Sequence, residues 1–170
     1  MGFSDVIVKE LSTNALVFES LLASVPLELS NHKEDPKKWS LLEIACHLAD
    51  EEVEDFRTRV KHTLETPDLP LKSISPQLWP ISRKYSQQNY HEAVNRFLTE
   101  RRISINWLKG LIDPQWSNTI DNKDLGNLSA QDFLENWLAH DYLHIRQINQ
   151  VKRSFLARNS HGDLGYAGNW

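Results

Sequence analysis

The chain has 170 residues and a formal net charge of −4 at pH 7. Without a broad excess of basic residues it is not expected to bind nucleic acid. Hydrophobic residues make up 40% of the chain and charged residues 25%, a globular composition whose apolar runs are too short to cross a bilayer. This length predicts one domain spanning residues 1–170. The first residues lack the features of a secretory signal, so we expect a cytoplasmic protein.

The first predicted helix has apolar side chains at steps of three and four, the spacing of an amphipathic helix. Ser4 is its expected N-cap, and Pro26 follows its last apolar position. This helix is expected to bury one face against the rest of the domain. Its apolar stripe consists of Val8, Leu11, Ala15, Phe18, Leu22 and Val25.

The second helix is predicted to run from Ser40 to about Leu64. Ser40 and Glu43 match a capping box, and Trp39 and Ile44 occupy the two positions of a hydrophobic staple. After this helix, prolines at positions 67, 70, 76 and 80 predict an irregular crossover. The crossover is expected to lie over one end of a helical bundle.

A third helix is predicted from Tyr90 to the region of Gly110, ahead of Pro114. A second capping box, Ser129 with Asp132, opens the fourth helix. Four long helices and no convincing strand pattern predict an all-α, antiparallel four-helix bundle. The inner stripe of the fourth helix consists of Phe133, Trp137, His140, His144, Ile148, Val151 and Phe155.

Three histidines interrupt apolar helix faces. His140 and His144 lie four residues apart, so their Cβ atoms are about 5–6 Å apart on one stripe. His47 lies on the apolar face of the second helix. Each one alone is explained by a hydrogen bond to a core acceptor, but three together favour a shared metal ion. Three ligands and one open position are typical of catalytic zinc sites.

Glu51 lies one turn beyond His47. It is expected to serve as a general base, as support for a metal ligand or as a carboxylate ligand, and the alternative is an ion pair with an arginine such as Arg101. Asp141 is interpreted as a supporting or surface acid, and Cys46 as buried and inert.

Gln147, one turn after His144, is expected to make a polar contact. The remaining histidines, which are His32, His62, His91 and His161, are expected at the surface. Tyr166 and Trp170 predict a C-terminal segment that packs back on the body.

Motifs in both histidine-bearing helices and in the tail resemble the DinB/YfiT-like superfamily of bacterial proteins. These motifs are Trp39-Ser40-x-x-Glu43-x-x-x-His47-Leu48-x-Asp50, His140-x-x-x-His144-x-x-Gln147-Ile148 and Tyr166-x-Gly168-x-Trp170. The resemblance implies an up-down-down-up bundle and a mononuclear zinc- or nickel-type site on His47, His140 and His144. It also implies a homodimer.

For characterised relatives, the resemblance implies transfer of a low-molecular-weight thiol to a small electrophile. The alternatives are a metal-dependent hydrolase that activates water, with Glu51 in support, and a non-enzymatic metal or small-molecule binding protein in stress handling. An open metal position suits a thiol or a water molecule equally. Because metal binding needs neutral imidazoles, the metal is expected to dissociate near or below about pH 6.5.

Overall fold

A computed structural model describes residues 2–122 and 126–168. Four long helical rods form a bundle, as predicted, and the longest helix has 30 residues. No helix in the described ranges is both long and apolar enough to span a membrane. The helices are α1 (Phe3–Leu22), α2 (Leu27–Ser30), α3 (Leu41–Glu51), α4 (Arg57–Glu65), α5 (Trp79–Ser82), α6 (Tyr90–Lys109) and α7 (Ala130–Asn159).

The bundle has an up-down-down-up order of its four rods. Helices α1 and α7 are neighbours and run parallel, and so are the α3–α4 rod and α6. The connection between two parallel rods must return along the bundle, which explains the long crossover after α4. The bonds that fix these directions join Ser4 to Gln131, Asn14 to Asp141, Cys46 to Arg96 and Arg57 to Ser104.

Both predicted capping boxes are present. The hydroxyl of Ser40 accepts from the backbone N–H of Glu43, whose carboxylate accepts from the backbone N–H of Ser40. Ser129 and Asp132 repeat this exchange at the start of α7. Because each box satisfies backbone donors that the helix itself leaves free, the two histidine-bearing helices start at defined residues.

The prediction that Ser4 caps α1 is wrong, since α1 begins at Phe3 after an N-cap at Gly2. The backbone N–H of Gly2 donates to Oδ2 of Asp5 at 2.8 Å. This bond is the reciprocal half of a capping box, in which the third residue of the helix accepts from the backbone N–H of the N-cap residue. The Ser4 hydroxyl instead donates to the side chain of Gln131 at 2.5 Å and ties α1 to α7.

A wide π-helical turn, Glu52–Phe56, joins α3 to α4 within the predicted second helix. Just after it, in the first turn of α4, Thr58 Oγ1 donates to the carbonyl of Val53, which lies in the π turn, at 2.6 Å. The extra residue in this turn changes which side chains face inward, and π turns often lie at functional sites. Glu51 and Glu52 are therefore both buried.

Several short elements, including α2, were not predicted. Strands β1 (Thr119–Asn122) and β2 (Gly126–Ser129) form an antiparallel hairpin. Each strand has four residues, and only Ile120 is buried, so the alternating pattern was too short to recognise. In the crossover, α5 includes Pro80 in its first turn, where its missing N–H removes no helix bond. Single 3₁₀ turns cover Pro76–Leu78, Tyr85–Gln87 and Gly165–Ala167.

The predicted packing of the tail is wrong at Tyr166, whose side chain is fully exposed. Trp170, the other residue in this prediction, lies outside the described residues. In the part of the tail that is described, the polar side chain of Asp163 accepts from the backbone N–H of Gly165 at 2.9 Å. The local turn is thus held by its own polar groups rather than by burial of an aromatic ring.

The core has two apolar clusters separated by a buried polar layer. One cluster surrounds Phe18, Ile44 and Phe97, and the other surrounds Leu11, Val60 and Trp137. Since each rod contributes to this layer, it fixes the relative heights of all four. The polar layer consists of Asn14, Glu52, Arg101 and Asp141.

Arg101 is the centre of this polar layer, with 1% of its surface exposed. It donates two bonds to Asp141, at 2.6 and 2.7 Å, and its Nε lies 2.9 Å from both oxygens of Glu52. The indole N–H of Trp137 also donates to Glu52, at 3.2 Å. Burial raises the pKa of Glu52, and the neighbouring Arg101 opposes this shift.

Candidate metal centre

The three predicted histidines come together between α3 and α7. Their candidate ligand nitrogens all lie within 4.8 Å of one another. Nε2 of His140 lies 3.0 Å from Nε2 of His144. The ring centroid of His47 is 5.5 Å from that of His140 and 5.0 Å from that of His144. Among the described residues, no other group of histidine, cysteine or acidic side chains converges in this way.

Gln147 orients one of these rings, which confirms the predicted polar contact. Nδ1 of His144 lies 2.7 Å from Oε1 of Gln147. An amide oxygen only accepts, so Nδ1 must hold the proton and Nε2 presents a lone pair. This arrangement leaves Nε2 of His144, facing Nε2 of His140, free to bind a metal ion. Metal-binding histidines commonly have such a partner on the other nitrogen.

All three imidazoles are neutral at pH 7. Burial, followed by the neighbouring His144, lowers the pKa of His47 to about 3. Burial and the two other rings lower the pKa of His140 to about 2. Burial lowers the pKa of His144 to about 4, although Gln147 and Asp141 oppose this shift. Neutral imidazole is the form that binds metal ions.

The residues present fit one transition-metal ion. Nδ1 of His47 is buried and has no hydrogen-bond partner among the described residues, an arrangement that costs free energy unless a further group compensates. Two nitrogens bound to one zinc ion in tetrahedral geometry are about 3.3–3.4 Å apart, close to the separation of the His140 and His144 nitrogens. A set of three imidazoles suits zinc, nickel, copper and iron.

Glu51 lies beside this cluster. Its Oε1 is 3.8 Å from Nδ1 of His47, and burial, followed by the nearby Asp55 carboxylate, raises the pKa of Glu51 to about 9. Glu51 is not among the converging ligand atoms. The predicted alternative, an ion pair with Arg101, is wrong, because Arg101 pairs with Glu52, the next residue along the π turn.

Asp141 does not face the cluster, although it follows His140 directly. It is 0% exposed, and both of its oxygens accept from Arg101 in the polar layer. The interpretation of Asp141 as a surface acid is therefore wrong. Its charge still acts on the cluster, since it raises the pKa of His144 against the larger effect of burial. Asp141 thus couples the histidines to the buried arginine.

Two aromatic rings that the sequence analysis did not assign to the site enclose the cluster. Trp39 stacks parallel to His144, with ring centroids 6.4 Å apart, and lies 4.7 Å from His47. Phe56, in the π turn, lies 4.9 Å from His140. Trp39 was predicted only as part of a staple, and no periodic signal placed Phe56 here because the π turn shifts the helix face.

Two open cavities meet at the cluster. We call the first the cationic cavity; it has a volume of about 490 Å³, and its walls are Lys37, Lys38, Trp39, His47, His140, Leu143, His144, Arg146, Gln147 and Gln150. We call the second the apolar cavity; it has a volume of about 530 Å³, and its walls are Asp55, Phe56, Arg59, Leu128, Phe133, Asn136, Ala139, His140 and Leu143. His140 and Leu143 belong to both, so solvent and small molecules reach His140 from two sides.

The other reactive side chains lie apart from the cluster. Cys46 is buried, as predicted, and burial raises the pKa of its thiol to about 12, which keeps it protonated. His91 and His161 are exposed, as predicted. His32 is a correction, since it is buried and lies 2.9 Å from the Ser154 hydroxyl. It packs against α7 at the far end from the polar layer.

Replacing Gln147 with leucine is expected to weaken metal binding about 10- to 100-fold, because His144 loses the acceptor that orients its ring. Isothermal titration with zinc measures this effect. The matched control is Gln150→Leu, which changes the same cavity at a residue whose side chain has no hydrogen bond to the described chain. Equal affinities for the two variants would contradict the role of Gln147.

Metal affinity is expected to stay constant from neutral pH down to about pH 5 and to fall as the pH drops below about 4. Affinity falls in acid because protons compete with the metal for the imidazole nitrogens. This competition begins only near the pKa values of the metal-free imidazoles, and burial lowers those values. Equilibrium dialysis at a series of pH values, followed by elemental analysis, measures this curve. Half-release near the ordinary histidine pKa of about 6.5 would contradict it.

Comparisons with known proteins agree with this geometry. The DinB superfamily model matches residues 10–148. YfiT from Bacillus subtilis, a solved structure described as "a probable metal-dependent hydrolase with an unusual four-helix bundle topology", shares the fold with a TM-score of 0.78. The match has 14% sequence identity and covers 91% of this chain and 90% of that one. A search of curated proteins finds no match. Because the family match extends from α1 into α7, this chain belongs to the DinB superfamily.

Proposed function

We propose that this protein is a metal-dependent enzyme that transfers a low-molecular-weight thiol to a small electrophile. His47, His140 and His144 would hold one divalent ion, zinc or nickel. The observation that supports transfer is that two separate cavities meet at His140, which gives room for two reactants beside one metal site. Each cavity is within the volume range of small-molecule sites.

A divalent ion with an open position lowers the pKa of a thiol or a water molecule that binds to it. The chain itself supplies the rest. Trp39 packs against His47, and Phe56 packs against His140, so both aromatic rings hold the imidazoles in place. Leu143 separates the two cavities, so each reactant contacts its own set of side chains. Holding both reactants in place is itself a large contribution to rate.

The test is consumption of thiol by the metal-loaded protein. Bacillithiol, mycothiol and glutathione are each offered with haloalkanes, epoxides and unsaturated carbonyl compounds, and free thiol is followed with a colorimetric reagent. Thiol loss that depends on protein and electrophile supports the proposal, provided that His140→Ala abolishes it and the exposed His91→Ala does not. No loss of any thiol across the panel contradicts it.

A metal-dependent hydrolase is the second candidate, and the position of Glu51 favours it. This carboxyl lies beside His47. Its raised pKa keeps it protonated at neutral pH in the metal-free protein, so it can donate a proton directly, and it can accept one once a bound cation lowers its pKa. The description of YfiT as a probable hydrolase points the same way. Hydrolysis of esters or amides without thiol supports this candidate if Glu51→Gln lowers kcat at least about 100-fold and the exposed Glu65→Gln does not. Unchanged turnover in Glu51→Gln removes Glu51 from the mechanism.

A non-enzymatic binding protein is the remaining alternative from the sequence. It needs a metal whose coordination is complete, whereas open cavities reach the histidines from both sides. Exchange of metal-bound solvent, measured by water-proton relaxation with a paramagnetic ion in the site, distinguishes the two. Rapid exchange supports an enzyme, and a lack of exchange supports a binding protein.

A further inference from the structure

The two cavities at the histidine cluster differ in the charge of their walls. In the cationic cavity all three charged side chains are positive, namely Lys37, Lys38 and Arg146. Among the described residues that line the apolar cavity, the one cation, Arg59, forms an ion pair with the one acid, Asp55. The net charge of the walls is therefore confined to one side of the metal ligands.

Two of the three cations have no acidic partner. Lys38 pairs with Glu34 at 2.5 Å. Lys37 and Arg146 form no ion pair within residues 2–122 and 126–168. The chain as a whole has a net charge of −4, so the positive charge of this cavity is opposite in sign to the net charge of the protein. A cleft lined by one sign of charge raises the local concentration of the opposite ion.

Neutral donors add to this charge. The amide oxygen of Gln147 is bonded to His144, which leaves the amide N–H groups of Gln147 available to an acceptor in the cavity. Gln150 lines the same wall, and its side chain has no hydrogen bond to the described chain. Arginine with side-chain amides can bind both oxygens of a carboxylate or a phosphate, with bonds stronger than those to a neutral acceptor.

We infer that the cationic cavity binds the anionic end of the substrate, a carboxylate or a phosphate, through Lys37 and Arg146. The uncharged part of the substrate or the second reactant then lies on the other side of Leu143, against Phe56 and Phe133. This inference rests on the proposed function, because it names the substrate class of that same site. It selects small anions over their neutral analogues.

The experiment is isothermal titration of the zinc-loaded protein with succinate, with its uncharged diamide and with inorganic phosphate. Succinate or phosphate is expected to bind, and the diamide is not. The double variant Lys37→Gln/Arg146→Gln is expected to keep its zinc and to bind the anion about tenfold more weakly. Whichever anion binds more tightly identifies the group that the cavity prefers.

The control variant is Arg102→Gln/Lys109→Gln, which removes the same charge from α6 at residues outside both cavities. Anion affinity equal to that of the unmodified protein is expected for this control. Equal weakening in both double variants would mean general attraction and would overturn the inference. Unchanged affinity in Lys37→Gln/Arg146→Gln would mean that the anion contacts zinc alone, and would also overturn it, as would binding of the diamide in preference to both anions.

The test of the anion site does not require that the protein catalyse any reaction. If no reaction is found but anion binding depends on Lys37 and Arg146, the proposed function fails and the binding site stands. If thiol transfer or hydrolysis is found and anion binding is indifferent to these two residues, the site assignment fails and the function stands. Titration of the zinc-free protein, run in parallel, separates the contribution of the side chains from that of the metal.

Discussion

The His140→Ala protein is expected to keep its fold and to bind zinc or nickel more than about 100-fold more weakly than the unmodified protein, because one of three ligand nitrogens is lost. Its ring is only half-buried and its nitrogen faces His144 rather than a core acceptor, so little else depends on it. Equilibrium dialysis with elemental analysis measures the bound metal, and circular dichroism checks the helix content.

The matched control for this change is His91→Ala, which removes an exposed imidazole from α6. It is expected to bind metal as the unmodified protein does. A second readout is thermal stability, since an ion present at 100 times its Kd stabilises the folded state by about 2.7 kcal/mol. Added zinc should raise the Tm of the control and not that of His140→Ala. Full metal content in His140→Ala would exclude this ring as a ligand.

Replacing Arg101 with leucine is expected to lower the free energy of unfolding by about 3–5 kcal/mol. The change leaves Glu52 and Asp141 buried without their cation, and uncompensated buried charge costs far more than a lost surface pair. Urea denaturation followed by tryptophan fluorescence measures the loss. Because domains of this kind are stable by only about 5–15 kcal/mol, the variant is examined at low temperature with glycerol if needed.

The adjacent residue supplies the control. Arg102 is exposed, and its one side-chain hydrogen bond is to Thr99, so Arg102→Leu should change stability by less than about 0.5 kcal/mol. Asp141→Asn is a milder probe of the same layer, since it removes charge and keeps one acceptor for Arg101. An Arg101→Leu protein as stable as Arg102→Leu would mean that the polar layer does not hold the four rods together.

Local signals in the sequence were sufficient for the four long helices and for placing His140 and His144 together. The capping boxes at Ser40 and Ser129 were recognisable because every partner lies within four residues. The same is true of His140, His144 and Gln147, which the helix repeat alone places on one face. The grouping with His47 needed one tertiary assumption, that the two helices pack side by side.

The features that the sequence did not predict depend on contacts between residues far apart in the chain or on an irregular backbone. The π turn moves Glu52 into the position where Glu51 was expected to meet Arg101, and a regular repeat of 3.6 residues has no place for that extra residue. The neighbour Asp141 was taken for a supporting or surface acid because its arginine partner is 40 positions away. The charge of the cationic cavity arises in the same way, from residues of two distant segments that the bundle brings together.

X-ray absorption spectroscopy of the protein saturated with zinc tests the central claim most directly. We expect one ion per chain with three imidazole nitrogens at about 2.0–2.1 Å and one solvent oxygen at a similar distance. The imidazole signal should fall in the His47→Ala, His140→Ala and His144→Ala proteins alike. A sulfur scatterer at about 2.3 Å, or an imidazole count that none of the three changes lowers, would contradict it.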